Sequence, residues 1–89
     1  MMIETGTQEI LTESRDGTLL VRIHRPDRKN ALTLAMYSGL TAALAEATRN
    51  PAIRVLVLTG SGDSFTSGND IADFLDNPPS GDQSPVFQF

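Results

Sequence analysis

Between Leu58 and Ile71 the sequence reads LTGSGDSFTSGNDI, three glycines and several hydroxyls leading into an Asn-Asp pair. Such a stretch can present backbone. Gly68 leaves room for another group to approach the chain, and the N–H groups at a helix start lack intrahelical acceptors, so they can face an anion or a developing oxyanion. The competing reading is that Asn69 or Asp70 simply caps the helix that follows. A second candidate is HRPDRKNAL, residues 24–32, in which Arg25, Arg28 and Lys29 could hold phosphates by charge-assisted bonds. Its plain alternative is a solvated loop with Asp27 as internal partner, a contact that would contribute little.

Other chemistries fit less well. Gly60 and Gly62 begin a GxGxxG pattern, but Phe65 occupies the third glycine position and no Gly-Lys-Ser/Thr follows, so neither a dinucleotide fingerprint nor a Walker A loop is present. Ser61, Ser64 and Ser67 have no general base close in sequence and no GxSxG elbow. His24 is the sole histidine and lacks triad or metal spacing, which favours a structural role. Asp63, Asp70, Asp73 and Asp76 are not spaced as an EF-hand, and Asp70 with Asp73 fits an exposed helix face. No metal site is expected.

These residues need elements to hold them. Residues 9–14 and 18–24 read as strands around Asp16-Gly17, a hairpin turn in which both residues tolerate positive φ. In the second strand Leu19, Val21 and Ile23 share one face, with Leu20, Arg22 and His24 on the other. Pro26 ends that strand in a loop. From Leu34 to Arg49 the apolar spacing changes to a helical stripe of Met36, Leu40, Ala43, Leu44 and Ala47, with Thr33 as N-cap and Asn50-Pro51 as stop. IRVLVLTG, residues 53–60, is a continuous apolar run, the mark of a strand covered on both faces. The expected fold class is therefore α/β: an N-terminal hairpin plus a right-handed βαβ unit. In such a unit both candidate loops leave the same sheet edge, where open α/β sheets bind ligands. A short helix is expected over residues 70–75.

The chain has 89 residues and no cysteine, which excludes disulfides and thiolate chemistry. A net charge of −4 argues against nucleic acid as a partner, although four of the seven cations cluster between Arg22 and Lys29. No apolar run approaches the ~20 residues of a membrane span. A soluble cytoplasmic protein is the default expectation, with an organelle still open. Residues 1–76 read as the folded part and 77–89, rich in proline and serine, as a linker in which Val86, Phe87 and Phe89 resemble the start of a further element.

Taken together in order, a strand followed by HRPDRKNALT, an amphipathic helix and NPAIRVLVLTGSGDSFTSGNDIADF resemble the crotonase superfamily, the enoyl-CoA hydratase/isomerase family, from about Thr18 to Leu75. The GND form resembles the Δ3,Δ2-enoyl-CoA isomerase branch most. The resemblance implies the opening part of a crotonase-like ββα spiral. It implies that Asn69 N–H is a catalytic oxyanion donor to an acyl-CoA thioester. It further implies that Arg28, Lys29, Ala31, Ser67, Gly68, Asn69 and Asp70 line the substrate and CoA site, Asp70 by supporting the loop. No cofactor is implied beyond coenzyme A as part of the substrate. The full-length protein would be a homo-oligomer, a trimer or hexamer. The second oxyanion donor and the acid/base carboxylates of the family have no counterpart in these residues, so the chain alone is expected to be inactive. Two alternatives stand: a truncated, catalytically inert module that binds CoA or serves as an association surface, and an unrelated small phosphate-binding α/β domain.

Overall fold

The structure, a computed structural model, describes residues 5–76. The 77–89 linker and the expectation for Val86, Phe87 and Phe89 lie outside the described residues. Strand β1 (Ile10–Arg15) and strand β2 (Thr18–Ile23) form an antiparallel hairpin, and Asp16 and Gly17 take φ of 53° and 83° at its turn. Helix α1 (Leu34–Arg49) then carries the chain back to strand β3 (Val55–Gly60), which pairs parallel to β2 with Thr18 opposite Val55 and Ile23 opposite Gly60. The sheet order is β1-β2-β3, and helix α2 (Ile71–Asp76) follows the glycine-rich loop.

The core lies between α1 and one face of the sheet. Leu19, Val21 and Ile23 of β2 are buried with Ile10, Met36, Leu40 and Ala43, as the alternation in β2 and the helical stripe require. Each of these side chains larger than alanine contributes roughly 1.5–3 kcal/mol by leaving water. Leu44 departs from the expected stripe: it is 38% exposed, because it stands at the margin of α1, where β3 gives only partial cover.

β3 requires a larger correction. Its sequence reads as a strand covered on both faces, yet Val55 and Val57 are 53% and 41% exposed. It is the edge strand, and α1 lies against the inner face alone, where Leu56 packs on the core. A continuous apolar run reports that a strand is suited to double cover; it does not supply the covering layer.

α1 begins at two caps. Thr33 Oγ1 accepts from Met36 N–H at 3.2 Å, and the Asp73 carboxylate of α2 accepts from Leu34 N–H at 2.8 Å. Thr33→Ala is expected to cost about 1 kcal/mol in denaturant-induced unfolding. An unchanged midpoint would mean that the Asp73 carboxylate alone suffices as a cap.

Candidate functional site

The parallel pairing of β2 and β3 brings both candidate loops to one edge, and a short backbone bridge joins them. Leu32 N–H donates to Gly68 C=O, and Asp70 N–H donates to Leu32 C=O, both at 2.8 Å, with Leu32 opposite Asn69 in a parallel bridge. Neighbouring N–H groups on an extended chain point to opposite sides. Asn69 N–H therefore faces away from Leu32, and no hydrogen bond among the described residues uses it. The Asn69 side chain accepts from the Tyr37 hydroxyl at 2.5 Å. Tyr37 in turn meets Phe74 edge to face. Gly68 has φ of 101°, a conformation that side chains rarely adopt, and a β-carbon there would meet nothing within 4 Å. Its backbone is open.

The basic loop divides its cations between two tasks. Arg25 is the structural one: its Nη1 reaches Asp70 at 2.7 Å and Ala31 C=O at 3.1 Å, and its Nε lies 3.3 Å from Glu9. Its side chain is only 15% exposed. This overturns the expectation that Arg25 is available to phosphate, and it replaces Asp27 as the internal carboxylate partner by Asp70 and Glu9. Arg28 and Lys29 remain exposed. Between the loops lies a cleft of about 320 Å³ walled by Pro26, Lys29, Ser61, Gly62, Asp63 and Ser64. Ser67 is exposed beside it in sequence. Ala31 N–H donates to Arg28 C=O at 3.0 Å, so its amide is spent within the loop.

Asp70 and Asp73 are not an exposed pair. Asp70 Oδ1 caps α2 by accepting from Asp73 N–H at 2.9 Å, while Oδ2 takes Arg25. Both aspartates are partly buried because α2 folds back onto the start of α1. The Asp73 N–H bond first, and the Arg25 guanidinium second, hold the Asp70 carboxyl below its ordinary value of 3.8. A depressed folded value means that this stabilisation is complete above the unfolded pKa and is lost as pH falls through the folded one. The gap in melting temperature between the protein and Asp70→Asn should therefore be full near neutrality and shrink below about pH 4. A gap independent of pH would contradict this.

One feature was not singled out from the sequence. Asn30, fully buried at 0% exposure, donates from Nδ2 to the carbonyls of Ser61 and Ser64 at 2.8 and 2.7 Å. Its only sequence signal is asparagine's tolerance of the left-handed region, where it lies at φ 60°. His24 Nδ1 lies 2.8 Å from Ser61 Oγ, which ties the strand end to the glycine loop and agrees with a structural role.

Residues 13–89 match the enoyl-CoA hydratase/isomerase family. The chain belongs to this family, within the crotonase superfamily. Among relatives of the enoyl-CoA hydratase/isomerase family, human enoyl-CoA delta isomerase 2 is 40% identical over 77 residues, 86% of this chain and 19% of that protein. Enoyl-CoA hydratase EchA19 of Mycobacterium tuberculosis is 35% identical over 86% of this chain and 29% of its own length. The solved structure of Pseudomonas aeruginosa OdaA superposes with a TM-score of 0.87 at 50% identity, covering 92% of this chain and 33% of that one. The chain thus spans between about a fifth and a third of the length of these relatives. The family's α/β fold, strand hairpin followed by helix, is the one described above.

Proposed function

We propose that this segment forms the acyl-CoA-facing part of an enoyl-CoA hydratase or isomerase, with Asn69 N–H as one donor to the thioester oxygen. The observation that carries this reading is Asn69 itself: no hydrogen bond among the described residues uses its N–H, while Asp70 N–H donates to Leu32 C=O and Gly68 N–H to Thr66 Oγ1. A donor held in place before reaction stabilises charge that develops on the oxygen as an enolate-like species forms, without reorganisation. Proton transfer at the neighbouring carbons requires a general acid or base, a carboxylate in the reading that the family resemblance implies. Asp70 and Asp73 are engaged in caps and an ion pair, which argues against either as that group.

Arg28 and Lys29 would meet the phosphates of CoA at the cleft between the loops, and Ser67 and Gly68 would border the adenine and pantetheine. Ala31 C=O retains a second lone pair beyond its Arg25 bond and would serve as the backbone contact to the nucleotide end. Asp70 acts by holding the loop. The engaged state of Asp70 and Asp73 also favours a second reading, a module that binds CoA thioesters without turning them over.

Calorimetric titration of the protein with an acyl-CoA, followed by turnover assays on 2-enoyl-CoA and 3-enoyl-CoA, separates these. Saturable binding with turnover supports the enzyme, binding alone supports the inert module, and no binding removes both. Light scattering of the full-length protein tests for the trimer or hexamer.

A further inference from the structure

We propose that Asn30 is the positioning residue of the oxyanion loop: its carboxamide holds the glycine-rich loop at the separation from the basic loop that aims Asn69 N–H. This rests on the oxyanion reading of Asn69. All side-chain bonding capacity of Asn30 that a carboxamide donor offers is used, since both Nδ2 hydrogens go to main-chain carbonyls, Ser61 and Ser64. Its Oδ1 accepts from Arg25 N–H at 2.8 Å, and its own C=O accepts from Thr66 Oγ1 at 2.6 Å. Thr66 Oγ1 then accepts from Gly68 N–H at 3.1 Å, one residue before Asn69. A chain of bonds thus runs from Arg25 through Asn30 and Thr66 to Gly68.

The contacts are directional. One small side chain, with no exposed surface, clamps the glycine loop at two carbonyls and the basic loop at one amide. Leu32 sets the pairing of the far end of the loop, at Gly68 and Asp70. At the near end Ser61 is also held by Ile23 C=O and His24, whereas Asn30 reaches on to Ser64, so losing it frees the loop beyond Ser61 to shift relative to the Leu32 bridge. Misplacing a catalytic donor by about 1 Å can cost on the order of a hundredfold in rate.

Two variants separate donation from space filling. Asn30→Gly retains the left-handed backbone and removes the clamp. Asn30→Asp retains the shape but turns an acceptor toward two carbonyls. In the full-length protein, Asn30→Gly is expected to speed amide exchange of the bonded loop amides Ser61 and Gly68 on the order of tenfold or more relative to residues 35–47 of α1. It should also lower kcat on the order of tenfold or more while KM changes less. Asn30→Asp should be comparably impaired at neutral pH, and its kcat relative to the unsubstituted protein should recover as pH falls, because the protonated carboxyl again donates to one carbonyl.

Exchange that is unchanged in the loop, or accelerated equally throughout, would overturn the proposal, as would wild-type activity of Asn30→Asp at every pH. If the unsubstituted protein turns over no enoyl-CoA, the oxyanion reading fails, and the exchange measurement alone then decides whether Asn30 clamps the loop.

Discussion

Asn69→Pro is expected to lower kcat by about two to three orders of magnitude, the loss of roughly 2.7–4 kcal/mol that follows removal of one oxyanion donor. The substitution is selective for a physical reason. Proline deletes the N–H, and no described carbonyl accepts from Asn69 N–H, so the described fold loses no backbone bond. Asn69 is also absent from the residues with positive φ, the half of backbone space closed to proline. The side-chain contact with Tyr37 is lost as well, and Asn69→Ala isolates that effect by removing the carboxamide while keeping the N–H. The alanine variant should stay within a few-fold of the parent, and the proline variant should fall far below it at a similar melting temperature. Equal activities of the two would show that the N–H carries no catalytic role.

Gly60→Ala is expected to destabilise the protein at or beyond the upper end of the about 1–3 kcal/mol typical of overpacking. A β-carbon at Gly60 would stand 2.7 Å from Phe65 Cα and closer still to the carbonyl oxygens of Ser64 and Phe65. All three are main-chain atoms, so no rotamer change relieves the clash. The turn must open, and Ser64 C=O then leaves Asn30 Nδ2, which at 2.7 Å has no slack. Each opposed group left buried without a partner adds a further penalty of about 1–3 kcal/mol. Chemical denaturation reads the result, and a change under about 0.5 kcal/mol would show that the turn can shift freely.

The tasks of these residues differed in how far they could be read from the chain alone. Gly60 and Gly68 both stand in a visibly glycine-rich loop, but only the structure separates their reasons: close approach of main chain at the first, a backbone angle at the second. Arg25, Arg28 and Lys29 look equivalent as a cationic cluster. Arg25 alone is claimed by Asp70, 45 positions away, which no local pattern announces. The aspartates of α2 show the same limit, since a spacing suited to a solvent-facing helix says nothing of the Leu34 N–H that α1 brings to Asp73.

The hairpin, the span of α1 and the presence of β3 were determined by sequence, because turn angles and periods of 2 and 3.6 follow from covalent geometry within a few residues. So was family membership, carried by two loop motifs in fixed order. Tertiary structure decided the rest: that β3 stands at an edge with one face bare, that Arg25 is a strut, and that Asn30 joins loops more than 30 positions apart. Those outcomes depend on which distant groups the parallel crossover brings within about 3 Å of one another, and hydrogen bonds and ion pairs act only at that range.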